Sequence, residues 1–192
     1  MSYQNKVFVF DDIISKDYQE KIKELLLSDN FPWFYKSDIS AQYNKYQKRP
    51  GFSHYFLINN SENFNPYHKI LIPIIQASCD KINYKYKNIL QGRSFLQLPL
   101  NLKDVSSVDT PHIDMLIQHL VVLYYVIDNE AETIIYDNKF ESYEKLNNIK
   151  NLKEKQRIKP KQGRVVLFDG SFLHTACQPE NDIRCVVNYN IQ

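Results

Sequence analysis

The sequence predicts an α+β fold in which strands predominate. Two segments with helical patterning fall in the first half of the chain, and short apolar segments separated by glycine, proline and polar turns fill much of the second half. Helices that precede strands are typical of a sheet sandwich or open barrel with the helices packed against one sheet. A length of 192 residues suits one domain, spanning 1–192.

The N-terminal part of the chain is predicted to form one strand and two helices. Val7–Phe10 is a short apolar run typical of an edge strand. A helix is expected over about 15–28, because Ser15 is a favoured N-cap and the apolar residues that follow repeat on one face. A second helix is expected over about 65–81, with proline in its first turn, and Pro73 is expected to kink it.

Beyond about residue 91 the pattern is that of strands. The clearest is Gly163–Gly170, an apolar run bounded by two glycines, which is expected to place His174 at a strand end. A polar turn at 178–182 then leads to a returning strand over 183–189. One further short helix is predicted between Lys139 and Leu152.

Composition restricts the class of protein. There are 24 Lys and Arg against 22 Asp and Glu, a formal net charge of +2, so the chain carries no strong nucleic-acid-binding signal. The basic residues at 150–161 are interpreted as a solvated loop or helix face. Three cysteines without a short pairing argue against a disulfide scaffold, and no apolar segment is long enough to span a bilayer. We therefore expect a soluble, cytoplasmic protein, whose oligomeric state the sequence does not indicate.

The most informative motif is Pro111-His112-Ile113-Asp114, followed later in the chain by His174. Two imidazoles and one carboxylate are the set that binds mononuclear Fe(II) on one face of an octahedron and leaves adjacent positions open. Residues two apart in a strand project to the same side, so His112 and Asp114 can bind one ion. His174 is then expected from a neighbouring strand, and the three residues form the predicted metal site.

Arg184 is the predicted anion-binding residue. Side chains alternate between the two faces of a strand, so Arg184, Val186 and Asn188 lie on one face. A guanidinium is suited to a bidentate pair with a carboxylate, which belongs either to a ligand or to Asp169 or Glu180 of the chain itself. We favour a ligand carboxylate, because an inward arginine beside a metal-ligand strand is costly unless it is paired.

A zinc site formed by His174, Cys177 and Cys185 is the alternative to the iron site. Structural zinc normally has four ligands, often in short paired spacings, which this set lacks. A zinc site would also leave His112 and Asp114 without a role. The iron site is therefore favoured.

These motifs belong to a wider resemblance. The chain resembles the 2-oxoglutarate and Fe(II)-dependent oxygenases, in particular the prolyl-4-hydroxylase-like group that includes phage and marine bacterial members. The resemblance covers most of the chain and is most specific from His112 onward. The matching segments are Phe31-Pro32-Trp33-Phe34-Tyr35, Leu100-Asn101-Leu102, Pro111-His112-Ile113-Asp114, Leu123-Tyr124-Tyr125-Val126, Thr133-Ile134-Ile135-Tyr136, Gly163 to Gly170, and His174 through Asn188.

The resemblance implies a fold and a set of ligands. The fold is a double-stranded β-helix, a cupin-like jelly roll, buttressed by the N-terminal helices. The implied iron ligands are His112, Asp114 and His174, and Arg184 is implied to bind the distal carboxylate of 2-oxoglutarate. Ascorbate is a further cofactor that the resemblance admits.

Tyr124 and Asn188 match positions that often assist the arginine in binding 2-oxoglutarate. Strand parity does not choose between Tyr124 and Tyr125, because the residues on both faces of that strand are largely apolar. Tyr124 is preferred from the family match alone.

The implied activity is hydroxylation of an unidentified substrate, with conversion of 2-oxoglutarate to succinate and carbon dioxide. A prolyl residue in a peptide is the leading candidate substrate by group resemblance, and small metabolites are others. Two further hypotheses stay open. One is a non-catalytic jelly-roll module that binds a metal or ligand, and the other is a cupin-like isomerase or a dioxygenase that does not use 2-oxoglutarate.

Some segments leave alternatives open. The turn at 128–132 lacks the glycine that relatives usually carry, so either Asn129 takes a positive φ or the turn avoids one. The strand face that holds Arg93, Phe95 and Gln97 lines either the substrate side or an exposed edge strand. His54 has no predicted role. Four aromatic residues either form a lid over the opening of the site or pack in the core and in an ordinary loop, and the second alternative is favoured. These residues are Trp33, Tyr35, Tyr43 and Tyr46.

Overall fold

The computed structural model describes residues 3–39, 48–58, 65–100, 107–140, 142 and 151–192. The helices of these ranges are α1 (Lys16–Leu26) and α2 (Pro66–Lys81). The strands are β1 (Val7–Phe10), β2 (Phe34–Lys36), β3 (Gly51–Ile58), β4 (Ile89–Gln97), β5 (Leu120–Tyr125), β6 (Thr133–Lys139), β7 (Glu154–Ile158), β8 (Val165–Asp169), β9 (Phe172–Ala176) and β10 (Arg184–Ile191).

The strands form two antiparallel sheets. The larger has the order β1-β8-β5-β10-β4-β3-β2, and the smaller has the order β7-β6-β9. The predicted mostly β fold with N-terminal helices is therefore confirmed.

The helices begin where the capping residues predicted. The hydroxyl of Ser15 accepts a hydrogen bond from the backbone of α1, and the side chain of Asn65 accepts one from the backbone of α2. Pro66 occupies the first turn of α2, where its missing N–H costs no helical hydrogen bond. Pro73 lies inside α2, and the helix continues past it to Lys81. Neither helix of the described ranges is long and apolar enough to cross a membrane.

The central strand β5 separates two cores, because its neighbouring side chains point to opposite faces. One face packs with the helices, and its cluster includes Leu120, Val122 and Tyr124 together with apolar residues of α2. The other face packs between the sheets, where Leu123 and Tyr125 belong to a second cluster. All six residues of β5 are buried, so the strand is covered on both sides as its apolar sequence predicted.

The prediction for the segment around His174 is corrected. The chain does not continue from β8 to His174 as one strand, because a turn at Gly170 and Ser171 intervenes. The Asp169 carboxylate accepts hydrogen bonds from the Ser171 backbone N–H and hydroxyl, which fixes this turn. The chain thereby passes from the large sheet to the small one, and His174 lies in the middle of β9.

The basic stretch lies partly on a strand rather than on a loop or helix face. β7 carries Lys155 and Arg157, whose side chains form ion pairs with Asp137 and with Glu154 and Glu132. These pairs are partly exposed, as expected for a solvated face. Much of the short helix predicted between residues 139 and 152 lies outside the described residues.

The turn at 128–132 avoids a positive φ, since Asn129 is not among the described residues with that conformation. Its side chain instead fixes the turn by hydrogen bonds. The amide nitrogen donates to the backbone oxygens of Asp182 and Ile183, and the amide oxygen accepts from the N–H of Ala131. Asn129 thus ties this turn to the start of β10 without needing glycine.

Candidate metal centre and adjoining cavity

A backbone pairing brings His112 and His174 together. The N–H of each donates to the carbonyl oxygen of the other, at 2.9 Å in both directions. Residues paired in this way project their side chains to the same face, and the two ring centroids lie 4.6 Å apart. The pairing is an isolated bridge, so the predicted strand at 112–114 is reduced to one paired residue followed by a bend at Asp114.

Both histidines present the same nitrogen to the cavity. Nδ1 of His112 lies 3.1 Å from the carbonyl oxygen of Thr110, and Nδ1 of His174 lies 3.1 Å from that of Phe172. A carbonyl oxygen only accepts hydrogen bonds, so each Nδ1 carries a hydrogen, and in the neutral form of either ring the lone pair lies on Nε2. This tautomer is the one that a histidine needs to bind a metal through Nε2.

Asp114 completes the group. Its Oδ1 lies 3.9 Å from Nε2 of His112 and 3.9 Å from Nε2 of His174. The candidate ligand atoms of the three residues all lie within 4.8 Å of one another, and this is the only such group that could hold a metal among the described residues. The three donors fit the two-histidine, one-carboxylate set of non-haem Fe(II). Cys177 and Cys185 do not join the group, so the geometry does not support the zinc alternative.

Charges around the group favour metal binding. Burial is the largest single influence on the pKa of Asp114 and raises it, but the positive groups around the carboxylate, Arg93 first and then His174 and His112, together outweigh burial and hold the pKa well below its usual range. Arg93 donates a hydrogen bond to Oδ1, and the amide of Asn188 donates to Oδ2 at 3.2 Å. Burial, followed by the charge of His112, lowers the pKa of His174 to about 4. At neutral pH the site therefore offers an ionised carboxylate and a neutral His174 imidazole.

Arg184 is buried, with 4% of its surface exposed. It donates three hydrogen bonds, to the backbone oxygen of Ala131 at 3.1 Å, to Oε1 of Gln97 at 2.7 Å and to the hydroxyl of Thr133 at 2.9 Å. All three acceptors are uncharged. The alternative of a pair with Asp169 or Glu180 is not found among the described contacts.

One cavity of about 430 Å³ joins the metal group to Arg184. It brings together five of the six predicted site residues. Arg93, Phe95 and Gln97 also line it, so the alternative of an exposed edge strand for these residues is wrong. The physical reason is the position of β4, which lies between β10 and β3 inside the large sheet. The predicted site residues that line the cavity are His112, Asp114, His174, Arg184 and Asn188.

The fold has counterparts among solved structures, although no family model and no curated protein matches the chain. An oxidoreductase of the 2OG-Fe(II) oxygenase family from Burkholderia pseudomallei has a TM-score of 0.67 at 10% identity, over 97% of this chain and 84% of that chain. A prolyl hydroxylase from Trichoplax adhaerens, in complex with a hypoxia inducible factor oxygen degradation domain peptide fragment, has a TM-score of 0.63 at 14% identity, over 97% and 83%. HygX from Streptomyces hygroscopicus, with nickel and 2-oxoglutarate bound, has a TM-score of 0.59 at 10% identity, over 96% and 82%.

The chain has the fold of 2-oxoglutarate and Fe(II)-dependent oxygenases. At these identities the likeness concerns the fold alone. The coarse expectation of such a fold is therefore confirmed, and the role of each residue rests on the geometry of this chain.

Tyr124 does not face the cavity of this oxygenase fold. It is buried in the helix-side cluster, and its hydroxyl has no hydrogen-bond partner. Tyr125 faces the space between the sheets instead, where its hydroxyl donates to the Thr133 hydroxyl at 2.7 Å. The register explains this, because Tyr125 lies opposite Val186, and Val186 shares the cavity face with Arg184. The preference for Tyr124 is therefore corrected: Tyr125, and not Tyr124, lies on the side of β5 that faces the space between the sheets, and neither tyrosine is among the residues that line the cavity.

Asn188 lies on the predicted face of β10, but its side chain forms a hydrogen bond with a residue other than Arg184. The resemblance implies a place for it beside Arg184, four residues away along β10, but its amide donates to Asp114. Four residues of a strand span about 13 Å, so the two side chains serve opposite ends of the cavity. Asn188 thus holds the Asp114 carboxylate rather than Arg184.

The aromatic residues near the N-terminus do not support a lid in the described ranges. The Trp33 indole donates to the backbone oxygen of Leu26 at 3.0 Å, which holds it against α1. Tyr35 lies on β2 and is 64% exposed. Tyr43 and Tyr46 lie outside the described residues. His54 has a structural role, since its ring contacts the Pro32 oxygen at 2.8 Å and the Asn65 amide at 2.9 Å.

Four contacts near the site were not anticipated by sequence reasoning. They are the bonds of Gln97 and Thr133 to Arg184, the bond of Arg93 to Asp114, and the buried pair of Arg49 with Asp109. Residues 93, 95 and 97 alternate along one strand and share a face, and this pattern is a signal for two of the residues involved, Arg93 and Gln97. The other two depend on segments that meet only in the folded chain.

Proposed function

We propose that the chain is an Fe(II)- and 2-oxoglutarate-dependent dioxygenase that hydroxylates a substrate and releases succinate and carbon dioxide. One observation carries the proposal. A single cavity holds, at one end, three convergent metal ligands and, at the other, a buried arginine whose described hydrogen-bond partners are all uncharged. A metal-binding 2-oxo acid with a distal carboxylate carries one group suited to each end.

His112, Asp114 and His174 would hold the metal ion. When bound, Fe(II) supplies the activation of dioxygen that couples oxidative decarboxylation of 2-oxoglutarate to hydroxylation of a C–H bond. Asn188 and Arg93 hold the Asp114 carboxylate in place, and the backbone carbonyls of Thr110 and Phe172 hold the histidine rings. Such supporting contacts orient metal ligands and maintain their basicity.

Arg184 would bind the distal carboxylate of 2-oxoglutarate. Thr133 accepts from the guanidinium and is itself held by the Tyr125 hydroxyl, so the anchor is oriented before any ligand arrives. The apolar side chains of Leu123, Phe168 and Val186 line the cavity. A charge-assisted hydrogen bond is stronger beside such apolar side chains than in bulk water, which favours a bound carboxylate at Arg184.

The two sheets are assigned in this proposal as the walls of a double-stranded β-helix within one domain, 1–192. A small molecule or a peptide is the proposed class of substrate, with a prolyl residue as one candidate. The peptide complex of the prolyl hydroxylase from Trichoplax adhaerens supports a peptide for that protein. Ascorbate and a cytoplasmic location stay predictions.

Succinate formation tests the proposal. Protein supplied with Fe(II), 2-oxoglutarate and oxygen should form succinate slowly without substrate and faster with a prolyl peptide or metabolite pool that contains the substrate. His174→Ala should form none, because two ligands do not retain the metal. His68→Ala is the matched control, since it removes an imidazole from α2 away from the cavity. Wild-type protein that binds Fe(II) and 2-oxoglutarate but never forms succinate would be a binding module instead.

A further inference from the structure

The amide of Gln97 lies between two charged groups at the arginine end of the cavity. Its Oε1 accepts from Arg184 at 2.7 Å, and its Nε2 lies 3.4 Å from Oδ2 of Asp109, to which it donates. Gln97 and Arg184 are paired residues of β4 and β10, so their side chains share the cavity face. Only 4% of the surface of Gln97 is exposed.

The orientation of this amide is fixed by charge. A flipped amide would place its NH₂ against the Arg184 guanidinium and its oxygen against the Asp109 carboxylate, and both contacts would be repulsive. Asp109 is fixed from behind by Arg49, whose Nε donates to Oδ1 at 2.9 Å. The side chains of this ion pair are only 2% and 6% exposed, so solvent does not compete for them. The series Arg49, Asp109, Gln97, Arg184 is therefore a rigid buried network.

The network holds Arg184 without neutralising it. Asp109 is the carboxylate of this network, and it forms its ion pair with Arg49 rather than with Arg184. Gln97 separates Asp109 from Arg184 and offers Arg184 only a neutral oxygen. A glutamate at this position would have almost the same shape, but it would supply the charge that the cavity otherwise draws from a ligand.

We propose that Gln97 is a positioning residue that sets the selectivity of the cavity for a 2-oxo acid with a second, distal carboxylate. The inference rests on the proposed function and deepens it. Gln97 orients the guanidinium and keeps its charge available, and Asp109 with Arg49 fixes Gln97. The neutral amide thus makes the arginine a receptor for a ligand carboxylate rather than half of an internal ion pair.

Binding of two ligands to the Gln97→Glu variant tests this inference. The probes are 2-oxoglutarate and 2-oxobutyrate, which lacks the distal carboxylate, and calorimetry on Mn(II)-loaded protein measures both without turnover. Wild type should prefer 2-oxoglutarate. Gln97→Glu should lower the affinity for 2-oxoglutarate by about tenfold or more, because an internal carboxylate then competes for Arg184. The affinity for 2-oxobutyrate should be unchanged. Gln97→Met removes the amide that orients Arg184 but adds no charge. It should therefore lower the affinity for 2-oxoglutarate less than Gln97→Glu does.

Two controls make the result specific. Gln76→Glu adds the same charge on the exposed face of α2 and should leave both affinities unchanged. Mn(II) binding should be the same in all variants, which shows that the Gln97 variants are folded. If Gln97 had only a structural role, its replacement would lower the affinities for both ligands by the same factor. That result overturns the inference, as does an unchanged 2-oxoglutarate affinity in Gln97→Glu.

Failure of the proposed function gives a different pattern. Wild type that binds succinate or glutarate but not 2-oxoglutarate would exclude the oxygenase, and the effect of Gln97→Glu would then be measured on that dicarboxylate. Wild type that binds no dicarboxylate overturns both proposals.

Discussion

Arg93 donates a hydrogen bond to Oδ1 of Asp114, the oxygen that lies 3.9 Å from Nε2 of both His112 and His174. The Asp114 side chain is only 1% exposed, so its charge is balanced by Arg93 rather than by water. A buried charge that loses its partner destabilises a protein by several kcal/mol. Arg93 therefore compensates the charge of the Asp114 carboxylate in the metal-free protein.

Replacement of Arg93 should make the fold depend on metal. Without metal, Arg93→Met should lower the free energy of unfolding by about 3 kcal/mol, because Asp114 keeps its charge and loses its ionic partner. Mn(II) should restore most of this loss, so the metal-induced rise in melting temperature should be larger than in wild type. Denaturant unfolding and thermal melts with and without Mn(II) measure both effects.

Arg157→Met is the matched control for Arg93→Met. Arg157 pairs with Glu154 and Glu132 at a site where its side chain is 39% exposed. Exposed ion pairs contribute about 0–1 kcal/mol, so this variant should change stability little and should not respond to metal. Equal losses in the two variants, or no rescue of Arg93→Met by Mn(II), would contradict the compensating role of Arg93.

Arg184→Lys should separate cosubstrate binding from metal binding. An ammonium group keeps the charge but loses the planar fork that is held by Gln97 and Thr133. The loss of charge-assisted hydrogen bonds is worth about 1.5–3 kcal/mol, or about one to two decades in the affinity for 2-oxoglutarate. Calorimetry measures this, with Mn(II) affinity expected to stay unchanged. Arg164→Lys is the control, because Arg164 is paired with Asp11 on the surface. An unchanged dissociation constant in Arg184→Lys would mean that another residue binds the carboxylate.

The two adjacent tyrosines should behave differently when each loses its hydroxyl. Tyr125→Phe removes the hydrogen bond that holds Thr133, and we expect a loss of about 1 kcal/mol in 2-oxoglutarate binding, or about fivefold in affinity. Tyr124→Phe removes a buried hydroxyl with no partner and should leave binding unchanged without lowering stability. Paired calorimetry and unfolding measurements compare the variants. The reverse outcome would restore Tyr124 to the site.

The link between the N-terminal strand and the start of β8 should depend on pH. Hydrogen bonds from Arg164, and then from Lys161, lower the pKa of Asp11 from its ordinary value of 3.8 to about 2. Because the folded-state pKa is the lower one, the stabilisation is fully present above about pH 4 and is lost as the pH falls through 2. The group is partly exposed, so Asp11→Asn should cost about 1 kcal/mol at pH 7. Unfolding free energies of wild type and variant should differ at pH 7 and converge near pH 2. A difference that stays constant over this range would show that the charge of Asp11 contributes nothing.

The convergence of His112, Asp114 and His174 could be predicted from the sequence, because the chemistry of a metal site restricts both residue type and spacing. His112 and Asp114 lie two apart, and few residue sets other than two histidines with a carboxylate offer this kind of site. Arg184 followed from the inward parity of its strand together with the cost of burying an unpaired charge. The two predicted N-terminal helices also agree with the structure, since Ser15, Asn65 and Pro66 are local signals that depend on no distant contact.

Other features depend on how distant segments meet. Both faces of β5 are buried, so the alternation of its residues does not indicate which of Tyr124 and Tyr125 points toward the space between the sheets. Only the register of β5 with β10 decides this. Arg49 and Asp109 are separated by 60 residues and pair only in the folded chain. β7 is rich in charged residues and lacks the apolar alternation of a strand, because its structure comes from pairing with β6 at the edge of the small sheet.

An anaerobic absorption spectrum tests most directly whether the metal ligands and the 2-oxoglutarate site form one centre. Wild-type protein with Fe(II) should develop a weak visible charge-transfer band when 2-oxoglutarate is added, because a 2-oxo acid bound to Fe(II) absorbs in this range. His68→Ala should show the same band, and His174→Ala should show none. The band should disappear on admission of oxygen as succinate forms. Wild-type protein that binds both Fe(II) and 2-oxoglutarate by calorimetry yet develops no band would contradict the single centre.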